Sequence, residues 1–167
     1  VKGGVDNIMT YSNAQFVVLG SGDWEYEQFF KEMQAKYPGR FVLCQGFVPE
    51  LARKIYGGSD IFLMPSKSEP CGLSQMVALR YGSIPVVRET GGLKDSITDS
   101  GDGKGNGFTF QTYDTQDMLN SVHRAIYAYN ESKDGWKVLV ERAMACDNSW
   151  GRSANDYIRL YKQLINS

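Results

Sequence analysis

Short apolar runs alternate with amphipathic stretches along this chain, and each change of period marks an element. Residues 15–20 (QFVVLG) form a continuous apolar run closed by glycine, which predicts a buried strand. Asp23 stands where a helix N-cap would. Phe29, Phe30, Met33 and Tyr37 then recur at helical spacing until Pro38 and Gly39 stop the pattern. Phe41 to Cys44 reads as a second strand. Pro49 suits a first helical turn, and Leu51, Ala52, Ile55 and Tyr56 carry that helix to Gly57 and Gly58. Asp60 to Met64 is a third strand, stopped by Pro65. An apolar helix covers Leu73 to Tyr81, Ile84 to Val87 is a fourth strand, and a helical turn spans Leu93 to Ile97. Residues 100–107 (SGDGKGNG) read as a flexible polar loop, and Phe108 to Phe110 as a short fifth strand.

The remainder is helical. One helix runs from Asp114 to Tyr129, and the next carries Trp136, Leu139, Val140, Ala143 and Met144. The last carries Trp150, Ala154, Tyr157, Ile158, Tyr161, Leu164 and Ile165, a stripe at i, i+3/i+4, i+7. Strands separated by helices imply βαβ units joined by right-handed crossovers. The fold class is therefore α/β: a Rossmann-like parallel sheet flanked by helices, with a helical C-terminal segment.

Composition narrows the function. At 167 residues, 1–167 is one domain, long enough to bury a core. Eighteen basic against 19 acidic residues give a net charge of −1, without the basic surplus a nucleic-acid module needs. No apolar run reaches a membrane span, so no membrane partner is expected. Cys44, Cys71 and Cys146 lie far apart and form no CxxC pair, which disfavours both a disulfide framework and a structural zinc site. A reducing, cytoplasmic setting fits that usage. The one histidine, His123, sits among Met118, Val122, Ala125, Ile126 and Tyr129 and reads as a helix flank residue rather than a catalytic base.

In such sheets ligands bind outside the carboxyl ends of the strands. After the first strand come Gly20, Ser21, Gly22 and Asp23, which suit either an anion-binding turn or an ordinary capped strand-to-helix turn. After the third come residues 65–73 (PSKSEPCGL). Gly72 and Leu73 offer free N–H groups at a helix start, and Glu69 precedes them. A carboxylate beside an anion site makes sense if it contacts an uncharged part of the ligand, such as sugar hydroxyls. The bland alternative is a solvent-facing acid that complements the helix dipole. After the fourth strand, Thr90, Gly91 and Gly92 open another helix.

Residues 66–73 (SKSEPCGL) followed by 90–93 (TGGL) resemble the C-terminal half of bacterial glycogen synthases and plant starch synthases, which are retaining GT-B glycosyltransferases. The resemblance extends to 19–23 (LGSGD), to 81–87 (YGSIPVV) and to Trp150. It implies transfer of glucose from ADP-glucose, or UDP-glucose, to the nonreducing end of an α-1,4-glucan. It implies Glu69 as the catalytic glutamate, acting by front-face displacement rather than as a covalent nucleophile. Cys71, Gly72, Leu73 and Ser74 match the segment that holds sugar and diphosphate. Phe47 matches an aromatic position near the base, often tyrosine. Gly22, Thr90, Gly91 and Gly92 complete the expected nucleotide-sugar site. No Asp-x-Asp occurs, so no metal and no cofactor are expected.

Departures from the pattern are informative. The family carries Lys-Gly, a hydrophobic residue and Asp where this chain has residues 2–6 (KGGVD), so Lys2 is displaced by one position. An arginine expected earlier, and its strand, are not in this chain. Val77 stands where broader GT-B relatives place a second glutamate. The chain reads as the donor domain alone, with the N-terminal acceptor domain absent, and is expected to be inactive by itself. The α-glucan acceptor would be met through that other domain. A plant source would place the protein in the plastid stroma. A sheet edge left open beside Phe16 to Leu19 is expected to drive dimerisation. Two rival readings are a GT-B transferase with another donor or acceptor, and a non-catalytic Rossmann-like interaction module. Asp60 precedes its strand, which disfavours a receiver-type acidic cluster.

Overall fold

The computed structural model describes residues 2–166. Five parallel strands alternate with helices: β1 (Phe16–Gly20), β2 (Phe41–Gln45), β3 (Ile61–Met64), β4 (Ile84–Arg88) and β5 (Phe108–Phe110). The helices are α1 (Lys2–Tyr11), α2 (Trp24–Lys36), α3 (Pro49–Gly58), α4 (Ser74–Tyr81), α5 (Gly92–Ser96), α6 (Thr115–Glu131), α7 (Lys133–Met144) and α8 (Trp150–Ile165).

The single sheet expected from the pattern is divided. β1 pairs with β2 from Phe16↔Phe41 to Gly20↔Gln45, and β3, β4 and β5 form a separate ladder. Among the described residues no ladder joins β1 to β3. Burial follows the break. β4 is buried except at Arg88 and β5 throughout, whereas β3 is half-buried along its length. A parallel strand with partners on both sides is normally covered on both faces. β1 and β3 each keep one edge without a ladder partner among the described residues.

Two apolar clusters correspond to the two ladders. The larger joins Ile84, Val86, Val87, Leu93, Phe108 and Phe110 to Leu79, Met118, Val122, Ala125 and Leu139. The smaller gathers Val5, Met9, Met33 and Phe41, with Phe16 stacked on Phe41 at 5.4 Å. α1 belongs to both, since Ile8 enters the large cluster while Val5 and Met9 enter the small one. The pattern did not announce α1. Gly3 and Gly4 each weaken a helix by about 1 kcal/mol relative to alanine. Packing explains Gly4: a Cβ there would lie 2.3 Å from the Met118 side chain of α6.

Other expectations hold with adjustments. Asp114 caps α6, accepting hydrogen bonds from the N–H groups of Gln116 and Asp117. Asp23 occupies the N-cap of α2, but its side chain makes no capping bond. His123 is an exposed flank residue of α6. The supposedly flexible segment 100–107 contains a 3-10 turn at Ser100–Asp102 and is closed by a bridge between Asp99 and Gly107. Asp99 organises it. Burial pushes that carboxyl up, but hydrogen bonds from Arg124 and from the N–H groups of Thr109 and Gly101 outweigh it and hold the pKa at about 2. The α8 stripe is helical as expected, yet none of the described residues of α8 is buried.

Candidate functional site

The loops after β1 and β2 are stitched together at the carboxyl end of their ladder. Gly46 N–H donates to the Gly20 carbonyl at 3.0 Å. The Glu27 carboxylate accepts from Gly22 N–H at 3.2 Å and from the Gln45 amide at 2.9 Å. Gly22 is exposed, and Phe47, two residues past β2, is 92% exposed. A phenyl ring so fully in water is free to cover a flat ligand.

Lys2 lies at the first turn of α1 and pairs with Glu25 in the first turn of α2. The Lys2 hydrogen bond lowers the Glu25 pKa, and the ammonium also sits 5.0 Å from the centre of the Tyr26 ring. These partners place Lys2 near the β1–α2 loop but commit its charge. Among the described residues, no hydrogen bond or ion pair joins Lys2 to the loop that carries Glu69.

The second group of candidates converges. Gly92 N–H donates to the Glu69 carbonyl at 3.2 Å. A Cβ at Gly91 would lie 2.1 Å from that same oxygen, and one at Gly92 would lie 1.8 Å from the Cys71 carbonyl. Gly91 also has φ +45°. Only glycine permits the two backbones to approach this closely. Thr90 precedes this contact, its N–H donating to the Arg88 carbonyl at 2.8 Å. The structure therefore brings Glu69, Cys71, Gly72, Thr90, Gly91 and Gly92 into one assembly of loops.

α4 begins there. Leu73 is its N-cap and makes no side-chain capping bond. The N–H groups of the first turn, beginning with Ser74, have no intrahelical acceptor. The positive end of the helix dipole thus faces the outside beside exposed Cys71 and Leu73 and half-buried Ser74. The Glu69 side chain, half-buried, has no hydrogen-bond or ion-pair partner among the described residues. An uncapped helix start and an uncommitted carboxylate, held side by side, suit a ligand with an anionic part and a neutral part.

Three bracing residues escaped the sequence reading. Arg88 donates to the Lys67 carbonyl at 2.9 Å and to the Gln111 carbonyl at 3.2 Å, spanning the loops after β3 and β5. Gln75 and Ser96 link α4 to α5 through a 3.0 Å hydrogen bond. Their only sequence signal was position, one to three residues from quoted motifs. Two open depressions of the surface lie away from this assembly, over Asn120, His123, Arg124 and Tyr127 of α6 and along the start of α8. Each is confined to one helix and its flank and unites no loops. Among the described residues no group of three or more His, Cys, Asp or Glu side chains is placed to hold a metal ion, and no helix is long and apolar enough to cross a membrane.

Residues 5–135 match the family model described as glycosyl transferases group 1. The chain belongs to that family. Within it, the chain is 52% identical over 159 residues to a glycogen synthase of Geobacillus thermodenitrificans, covering 94% of this chain and 33% of the relative. It is 49% identical over 163 residues to that of Pseudothermotoga lettingae, covering 96% of this chain and 33% of that one. Among solved structures, the catalytic domain of starch synthase IV from Arabidopsis thaliana, bound to ADP and acarbose, superposes with a TM-score of 0.81 at 38% identity. That match covers 98% of this chain and 36% of the other. A sucrose-phosphate synthase from Thermosynechococcus elongatus, at 20% identity and a TM-score of 0.66, shares the fold. This group 1 glycosyltransferase chain spans about a third of the length of the glycogen synthases it matches.

Proposed function

We propose that this domain holds the nucleotide-sugar donor, ADP-glucose, of a synthase that adds glucose to the nonreducing end of an α-1,4-glucan. The observation that carries the reading is the Glu69–Gly92 contact, which sets a free carboxylate beside the uncapped start of α4. The diphosphate rests on the N–H groups at Gly72, Leu73 and Ser74, with the Ser74 hydroxyl beside them. Cys71, Thr90, Gly91 and Gly92 shape the sugar end, and Phe47 stacks on the base. Gly22 lets the base approach the β1–α2 loop. Lys2 adds charge once it leaves Glu25.

The chemistry follows from the placement. As the bond from glucose to diphosphate breaks, negative charge grows on the leaving group and positive charge on the ring. Helix-start N–H groups stabilise the first, and the Glu69 carboxylate the second. This chain's similarity to starch synthase IV, whose structure is bound to ADP and acarbose, supports the donor class. The acceptor is met by parts of the enzyme outside this domain, so the domain alone turns over no glucan. The reaction belongs in the cytoplasm, and the open edges of β1 and β3 favour self-association, which light scattering across a concentration series would register as a rising mass.

Titration calorimetry tests the reading. The 167-residue chain is expected to bind ADP and ADP-glucose with a Kd on the order of 100 µM, about −5.5 kcal/mol. EDTA should leave that affinity unchanged, because helix N–H groups rather than a metal meet the charge. Binding abolished by EDTA and restored by magnesium would overturn the metal-free site. A preference for UDP over ADP would reassign the donor.

A further inference from the structure

We infer that Gln75 is a positioning residue that aims the Gly72 and Leu73 N–H groups at the donor diphosphate; the inference rests on the nucleotide-sugar reading above. Gln75 is fully buried in the first turn of α4. Its side-chain nitrogen donates to the Gly72 carbonyl at 2.9 Å and to the Ser96 hydroxyl at 3.0 Å, and lies 3.4 Å from the Cys71 carbonyl. Carbonyl oxygens only accept, so the amide nitrogen is the end that must face them.

Peptide planarity converts this anchor into a direction. In a trans peptide the C=O of one residue and the N–H of the next point opposite ways, and the described chain contains no cis bond. Holding the Cys71 and Gly72 carbonyls against Gln75 therefore turns the N–H groups of Gly72 and Leu73 away from it, the first at a buried residue and the second at an exposed one. Neither of those N–H groups has a partner among the described residues. Gly72 has φ +73°, and a Cβ there would lie 2.6 Å from the Gln75 side-chain oxygen. The turn and the glutamine are thus fitted to each other.

Ser96 extends the device to the neighbouring loop. Its hydroxyl donates to the Gly92 carbonyl at 2.6 Å while accepting from Gln75. One buried amide thereby fixes the loop after β3 and, through Ser96, the start of α5. Gln75 keeps its own oxygen buried without a partner. Such a group opposes burial. A methionine would fill comparable space without that opposition, so space filling does not account for a glutamine here. The nitrogen end is what the site uses.

The test is an NMR titration of the 167-residue chain with ADP and with AMP, which lacks the terminal phosphate. In the wild-type chain ADP should bind more tightly than AMP, with the Gly72 and Leu73 amide resonances moving most. Gln75→Met should weaken ADP about tenfold and AMP less than twofold, so that the ADP-to-AMP ratio collapses. Ser96→Ala should lower the ratio about threefold. The double variant should be no worse than Gln75→Met, because both act through one anchor. A merely structural role would weaken both nucleotides alike, in step with a fall in Tm; that result overturns the inference. If Gln75→Met fails to fold, Ser96→Ala decides, and an unchanged ratio there overturns it too. A wild-type chain that binds neither nucleotide overturns the donor reading itself, and the inference with it.

Discussion

A chimera in which this domain replaces the matching third of a full-length glycogen synthase should lose on the order of 10²–10³ in turnover on Glu69→Gln. Its donor affinity should change by less than about tenfold, or roughly 1.4 kcal/mol. The Glu69 carboxylate has no hydrogen-bond or ion-pair partner among the described residues, while its backbone carbonyl is held by Gly92 N–H. A charge kept in place with no internal use is available to a ligand. Beside a diphosphate it repels, so its favourable partner is the sugar ring. That ring is neutral in the bound donor and gains positive charge only as the bond breaks. The interaction therefore strengthens in the transition state, which is the condition for raising turnover rather than affinity. Glutamine keeps the shape and one acceptor oxygen but removes the charge. Steady-state kinetics with direct ADP-glucose binding would check both numbers. Near-normal turnover would return Glu69 to a loop acid that merely complements the α4 dipole.

Gly92→Ala should lower stability by about 2–3 kcal/mol, the upper range for forcing extra volume into a packed site. A Cβ at that position would sit 1.8 Å from the Cys71 oxygen and 2.5 Å from its carbonyl carbon. These are backbone atoms, so no side chain can rotate away. The loops must separate, which breaks the Gly92–Glu69 hydrogen bond and removes the site along with the contact. ADP affinity should fall at least tenfold. Gly22→Ala provides the contrast, since a Cβ there would meet nothing within 4 Å. Its stability should stay within about 0.5 kcal/mol of wild type. With urea m-values of about 1–3 kcal/mol/M, Gly92→Ala should move the unfolding midpoint by about 1 M or more. Coincident urea curves for Gly92→Ala and wild type would mean that the two loops do not touch as described.

Much of this was legible in the sequence, for reasons that differ by residue. The strands were readable because runs such as Ile84 to Val87 are apolar throughout, as strands covered on both faces must be. The glycines at 91 and 92 were readable because close backbone approach admits no other residue, and Gly72 because its φ of +73° favours glycine. The braces were not. Gln75 is polar in composition and buried in fact, so in a hydropathy pattern it passes for the solvent face of α4. Arg88 stood in plain view next to the Thr90–Gly92 segment, but its reach across two loops depends on strand order. α1 was obscured by Gly3 and Gly4, whose weak helix propensity is overridden by contact with α6. The α8 stripe was read correctly as a helix, and none of its described residues is buried. Lys2 was read as a donor-binding cation, and its pairing with Glu25 depends on a helix the pattern concealed.

The division of the sheet bears on how the molecule comes apart. Among the described residues no strand pairing bridges the two ladders, and their apolar clusters meet through α1 and Phe16. Cooperativity spreads through shared packing, so the β1–β2 unit with α2 and the β3–β5 unit with α4, α6 and α7 are expected to open separately, linked by α1 and Phe16. Phe47 and Gly22 ride on the first unit, and Glu69 with the start of α4 on the second. A nucleotide sugar gripping its base on one and its diphosphate on the other would act as a cross-link, drawing two independently melting halves into a single transition.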